Sequence, residues 1–200
     1  MQYSQGFNPR PRLSLPLPRS VAVESDDELL CLRIDQSTSA QAHKSISDLC
    51  TSMKTKLSEQ LPENFELVSV EVTEAKSAPQ PRVATYVLPV RQEYVNEKLK
   101  ARIERVLGSE SLNFQRRTHR QDPRRKTQDR RQRTEDRRQK TVDVRGFLES
   151  VELDERGIVV ECKISSAGSI RVEEILKLLE LDVEKLTAPI RRTNVEWQQT

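Results

Sequence analysis

The sequence predicts an α+β protein of two small ferredoxin-like α/β-sandwich halves, the first incomplete, with a basic insertion that is either disordered or a solvent-exposed helix. Three observations lead there. Apolar residues recur at helical spacing in two stretches, Ala42–Leu57 and Val95–Leu107, and more briefly around Ile175. Short strand-like runs surround them in the order β-β-α-β and then β-α-β-β-β-α-β, without the sustained alternation of a parallel α/β fold. Between residues 115 and 141 the apolar pattern stops altogether. This reading places a first half at 1–76, a linker at 77–82 and a second half at 83–200, interrupted by the basic tract at 115–141.

Each element has a local reason. Gly6 makes a bend before Phe7 cheap, and Pro9 and Pro11 push Asn8 and Arg10 out of the helical region. The alternation that follows puts Leu13, Leu15 and Leu17 on one face and Arg10, Arg12 and Ser14 on the other, until Pro16 and Pro18 limit the strand. The run 28–34 reads as a strand buried on much of both faces. Ser37-Thr38-Ser39 offers caps to the helix carrying Ala42, Ile46, Leu49, Cys50, Met53 and Leu57, with Pro62 beyond its end. His43 lies on the flank of that stripe, as a core-edge or solvated side chain. Residues 65–72 and 84–90 read as strands separated by the Pro-rich linker. Val95, Leu99, Ile103, Val106 and Leu107 form a second helix stripe stopped at Gly108. A short strand at 112–114 leads into the basic tract. Beyond it, 147–153 and 157–164 read as a hairpin in which Ile158, Val160, Cys162 and Ile164 point inward. Ser169 is placed to cap a third helix, and 190–197 closes the chain as a strand.

Composition narrows the function classes. Hydrophobic residues make up 34% of the 200, with four Phe, three Tyr and one Trp, and all of them lie outside 115–141, so a core is affordable there. The net charge of +3 is unevenly placed. The tract holds twelve Lys/Arg against four Asp/Glu, which is +8 and leaves −5 for the remainder. Cys31, Cys50 and Cys162 are odd in number and widely spaced, which offers no metal-ligand pair and fits a reducing, cytoplasmic compartment. No apolar run approaches the ~20 residues of a membrane span, so no membrane partner is expected. No cofactor and no metal is read from the residues.

Residues 121–141 divide into three heptads: Gln-Asp-Pro-Arg-Arg-Lys-Thr, Gln-Asp-Arg-Arg-Gln-Arg-Thr and Glu-Asp-Arg-Arg-Gln-Lys-Thr. No heptad position is apolar, which excludes a coiled coil. The pairs Asp122–Lys126, Asp129–Arg133 and Asp136–Lys140 each give an exposed helix only ~0.2–0.5 kcal/mol. That cannot offset the entropy of ordering the segment, so disorder or a frayed helix is expected across the tract.

The blocks Tyr3-Ser4, Gly6-Phe7-Asn8-Pro9 and Pro11, then Pro16-Leu17-Pro18 and Glu24-Ser25 leading to Glu28-Leu29, resemble the radical-SAM-linked protein family. That is a bacterial family of unknown function, encoded beside or fused to a radical SAM protein. Val142-Asp143-Val144-Arg145 is similar to its Asp-hydrophobic-Arg element and Arg192-Thr193 to its closing Arg-Thr. The resemblance spans nearly the whole chain outside the basic middle. It implies the fold and a radical SAM protein as partner, without a chemistry. It also implies an opening strand and helix ahead of the Tyr3 block, absent here. The face of Leu13, Leu15 and Leu17 and the helix stripe are then expected to lack part of their cover.

The candidate binding motif is Ser4, Gly6, Phe7, Asn8, Pro9, Arg10, Arg12, Glu24 and Ser25. Its arginines suit an anion or a partner's carboxylate. The plainer alternative is a structural turn whose arginines pair with local acids such as Glu24. The Asp26-Asp27-Glu28 run reads as a solvated turn. The nucleic-acid candidates are Arg116, Arg117, Arg120, Arg124, Arg125, Lys126, Arg130, Arg131, Arg133, Arg137, Arg138 and Lys140, which would contact phosphates without reading sequence. No catalytic residue is assigned. Three classes stay open: a non-catalytic accessory protein of a radical SAM enzyme acting on RNA or the ribosome, an enzyme using Asn8, Arg10 and Arg12, and a structural adaptor with the tract as a linker.

Overall fold

The computed structural model describes residues 12–34, 45–73, 78–117 and 139–198. The fold is mixed α+β. In chain order the elements are β1 (Leu13–Ser14), β2 (Val23–Ser25), β3 (Cys31–Leu32), α1 (Ile46–Ser58), β4 (Gln80–Leu88), α2 (Glu97–Gly108), β5 (Asn113–Arg117), β6 (Gln139–Asp143), β7 (Leu148–Asp154), β8 (Gly157–Ser165), β9 (Gly168–Ser169), α3 (Val172–Leu178) and β10 (Ile190–Gln198). No helix among the described residues is long and apolar enough to cross a membrane. The chain divides into two compact units, one of Met1–Pro18, Glu28–Gln80 and Gln198–Thr200, the other of Arg19–Asp27 and Pro81–Trp197.

In the first unit β1 and β3 form a two-residue antiparallel ladder, Leu13 opposite Leu32 and Ser14 opposite Cys31. Helix α1 begins where Ser45 Oγ accepts the Asp48 amide; the expected caps Ser37-Thr38-Ser39, with Ala42 and His43, lie outside the described residues. Asp48 in its first turn and Lys56 in its last complement the helix dipole. None of its residues is buried, and Ile46 is 65% exposed. Leu13 and Leu15 are likewise exposed, at 57% and 43%. Two expected strands are not formed as read. Only Cys31–Leu32 of 28–34 pairs, and 65–72 runs without a ladder among the described residues. Phe65 and Val68 are exposed there, so the apolar composition is present but no neighbouring strand receives it.

The second unit is built on one sheet in the order β2-β10-β4-β8-β7, with β9 added to β8. Taken along the chain, β4, α2, β7, β8, α3 and β10 make a β-α-β-β-α-β series, with the β5–β6 pair inserted between α2 and β7. Alternation holds for three of the four expected positions: Ile158, Val160 and Cys162 of β8 are almost completely buried and join Leu88 in the core, whereas Ile164 is only half-buried. Helix α2 is capped by Asn96 Oδ1 on the Leu99 amide and adds Leu99, Ile103 and Val106. Gly108, the expected stop, is the last residue of the helix, and Ser109 caps it through its amide on the Val106 carbonyl. Helix α3 adds Val172 and Ile175, with Leu179 just beyond. The expected cap, Ser169, is instead paired in β9 with Ile164, and α3 starts after Arg171. Burial pushes the Cys162 thiol up to about 12, which makes it a core residue rather than a nucleophile.

The sequence places residues 19–27 in the first half, yet β2 pairs in parallel with β10: Val23 opposite Ile190, Glu24 opposite Arg191, Ser25 opposite Arg192. Parallel pairing joins segments remote in sequence and leaves no local signature.

The β7–β8 hairpin closes with Asp154 opposite Gly157. Gly157 holds φ at +127°, and a Cβ there would sit 2.2 Å from the Leu88 carbonyl oxygen. Gly157→Ala is therefore expected to cost at least about 2 kcal/mol from backbone strain and clash together, measured by urea unfolding. A loss under ~0.5 kcal/mol would show that the β4–β8 contact is looser than described.

Candidate functional site

Two clusters gather the chemistry-bearing residues of the second unit. The first is the β2–β10 seam. Arg192 is only 2% exposed, and its Nε donates to Ser25 Oγ at 3.1 Å and its NH2 to the Asp27 carbonyl at 3.4 Å. Ser25 Oγ also accepts the Asp27 amide and donates to the Asp27 carbonyl, so the hydroxyl is fully occupied. The Asp27 carboxylate accepts the Val195 amide at 2.8 Å and Trp197 Nε1 at 3.4 Å. On the outer side Arg191 Nε lies 3.5 Å from Glu24 and 3.6 Å from Asp26. Beside the seam an open, mainly apolar groove of about 710 Å³ runs between Arg19–Glu24 and Val183, Leu186–Pro189, with Val21 and Val183 on its exposed surface.

The second cluster surrounds the β5–β6 ladder, which pairs Asn113–Arg117 with Gln139–Asp143 in antiparallel register. Phe114 and Val142 lie opposite each other and pack on the core. Asp143 accepts the amides of Leu112 and Arg145, which hold its carboxyl below the usual range. Arg145 donates to the carbonyls of Leu107, Ser109 and Leu148, tying the end of α2 to the start of β7. Arg116 makes a two-pronged ion pair with Glu174, Nε at 2.8 Å and NH2 at 2.6 Å, and NH2 also reaches the Ser169 carbonyl at 2.7 Å. Glu174 is 5% exposed and accepts the Arg171 amide as well. Burial alone would raise its carboxyl, but the hydrogen bonds from Arg116 and Arg171 outweigh it and hold the group low.

The sequence-derived candidates fall as follows. Ser4, Gly6, Phe7, Asn8, Pro9 and Arg10 lie outside the described residues. Arg12 is exposed in the first unit, and its carbonyl accepts the Arg33 amide. Glu24 and Ser25 belong to the second unit and meet Arg191 and Arg192. Asp27 is not part of a solvated turn. It holds β10, a role invisible locally because its partners are 168 and 170 residues away. Of the basic candidates, Arg120, Arg124, Arg125, Lys126, Arg130, Arg131, Arg133, Arg137 and Arg138 lie outside the described residues, as does the Arg117 side chain. Lys140 is exposed. Disorder or a solvent helix across all of 115–141 is not what the ends show: 115–117 and 139–141 are paired strands, because Phe114 and Val142 provide the apolar anchor and Arg116 finds Glu174. Nor does the tract join two halves as a linker. Both of its ends lie in the second unit, with Arg117 directly opposite Gln139. No group of three or more metal-ligating side chains occurs among the described residues.

Two substitutions probe these clusters. Ser25→Ala removes one acceptor of a buried guanidinium and is expected to cost about 1–3 kcal/mol in chemical unfolding. A neutral result would mean that Arg192 finds a replacement acceptor. Glu174→Gln leaves Arg116 buried without its counter-ion, at a cost on the order of 3 kcal/mol at neutral pH. Because the folded Glu174 pKa lies below its ordinary value of 4.5, its contribution is present above that value and is lost as pH falls through the folded pKa. The Tm difference between native and variant chains should therefore narrow below about pH 4.5. A difference constant down to strongly acidic pH would place its origin in packing.

A model of a family described as an uncharacterized protein conserved in bacteria (DUF2344) matches residues 1–177. No curated protein and no solved structure matches the chain. The match extends from the N-terminal block through β2, the whole β5–β8 region and nearly all of α3, so the clusters at Asp143, Arg145, Arg116 and Glu174 fall inside it. The chain belongs to this uncharacterized bacterial family.

Proposed function

We propose that this chain is a non-catalytic binding protein that works with a radical SAM enzyme and engages RNA through its basic insertion. The observation that carries the reading is the position of the tract. Its two ends are adjacent on a ladder fixed to the core of one unit, so residues 118–138 leave and return at one place. An insertion anchored at both ends on one body suits an arm better than a spacer. Its basic side chains offer phosphate contacts that carry affinity without sequence readout. The radical SAM partner is proposed from the resemblance of the Gly6-Phe7-Asn8-Pro9 block. The exposed apolar residues of α1 and of the Leu13–Leu15 arm supply surface for a protein partner. The polar groups of the seam and of Asp143, Arg145, Arg116 and Glu174 are taken up by ties within the fold, which favours binding over chemistry at those residues.

Crosslinking and co-purification from the native host should recover a radical SAM protein together with RNA. Recovery of neither would sink the reading. With single-stranded RNA, engagement of about six phosphates gives a slope of log K against log salt near −4, at ~0.7 per contact. Removing 118–138 and bridging Arg117 to Gln139 with a short glycine turn keeps the ladder and should flatten that slope. An unchanged slope would place RNA binding elsewhere.

A further inference from the structure

We propose that the β5–β6 ribbon is itself a phosphate-contact site for RNA, with Lys140 as the contacting residue and Arg116 as the positioning residue; this rests on the RNA reading above. Arg116 and Lys140 are direct cross-strand partners in the ladder. Directly opposed side chains stand roughly 4.5–5.5 Å apart at Cβ, and like charges so placed disfavour the pairing. Glu174 relieves half of this conflict. Its Oε1 accepts Arg116 Nε, and its Oε2 accepts both Arg116 NH2 and the Arg171 amide. Three of the roughly four acceptor positions of the carboxylate are therefore taken, none of them by Lys140. Lys140 is exposed and makes no ion pair among the described residues. Arg171 is exposed too, and its positive charge acts on the same carboxylate. Arg116 and Arg171 thus both act on one carboxylate, while Lys140, across the ladder from Arg116, has no ion pair among the described residues.

The chemistry that would complete this cluster is an anion reaching it from solvent. A phosphodiester fits for two reasons. It brings one negative charge and acceptor oxygens that an ammonium donor can meet from several directions. It would also be delivered by the same strand that the basic residues beyond Arg117 and Gln139 engage, since the ribbon is where that segment leaves and returns. Arg116 is locked by Glu174 and Ser169, with its side chain 14% exposed, so it orients the ribbon and contributes field rather than direct contact. Backbone pairing with Arg116 holds the Lys140 backbone in one place, which lowers the entropy lost when its ammonium is bound.

The test uses the full-length chain and a single-stranded poly(U) oligonucleotide across a salt series. Lys140→Gln should weaken binding several-fold and reduce the slope by ~0.7, the value of one contact. Lys140→Arg should restore both. Hydrogen exchange at Thr141 and Val142 should be the same in all three proteins, which separates loss of contact from loss of the ladder. RNA binding by the native chain with an unchanged slope in Lys140→Gln would overturn the ribbon site and leave the RNA reading standing. No RNA binding by the native chain would overturn both. Equal affinity for polyglutamate would make this an acidic-peptide site and would also overturn the proposal.

Discussion

The Arg192 guanidinium is the tie on which the second unit depends. It reaches across the parallel β2–β10 pair to Ser25, 167 residues away in sequence, and to the Asp27 carbonyl. A three-residue parallel strand at a sheet edge has few backbone hydrogen bonds of its own. The side-chain bonds make up the difference: Arg192 holds β2 from one strand, and Asp27 answers by holding the Val195 amide and the Trp197 indole of the other. An almost fully buried guanidinium is tolerable only where its donors find acceptors, so the arginine specifies the register as well as filling space.

The same device recurs twice around the core. Arg145 collects three backbone carbonyls where α2, the β5–β6 ladder and β7 converge, and Asp143 collects two amides at the same corner. Arg116 and Glu174 then fasten the ladder to the start of α3. With few aromatic residues to fill a core, this chain uses charge-assisted hydrogen bonds to carbonyls and carboxylates where larger proteins use bulk. Removing one partner of such a buried pair is costly because it leaves the other charge uncompensated. It is here that the ladder gains a fixed orientation on the body, and with it the basic segment gains a fixed origin.

That origin changes what the basic segment can be. As a spacer between two folded units it would need only length and solubility. Its flanking strands put Arg117 directly opposite Gln139 on one body, so both ends of the segment are fixed at the same place. The exposed apolar residues of α1 and the Leu13–Leu15 arm belong to the first unit, whereas the β5–β6 ladder belongs to the second.

The sequence by itself determined the α+β class, the two main helices to within a few residues at their starts, the 148–154 and 157–165 hairpin and the closing strand, because helical and alternating periodicities are local and survive without context. It also made Val142–Arg145, Glu24-Ser25 and Arg192 visible as unusual, though not what they touch. Tertiary structure alone decided the rest. Residues 65–72 have strand composition but no ladder among the described residues, since a strand exists only where another receives it. Residues 115–117 and 139–141 have none of the hydrophobic set yet are ordered, because flanking Phe114 and Val142 and the distant Glu174 supply what the tract lacks. Asp27 looked like a solvated carboxylate and is a strand tie. In each case the deciding partner lies far away in sequence, and a pairing energy between remote residues leaves no trace in the local pattern of either one.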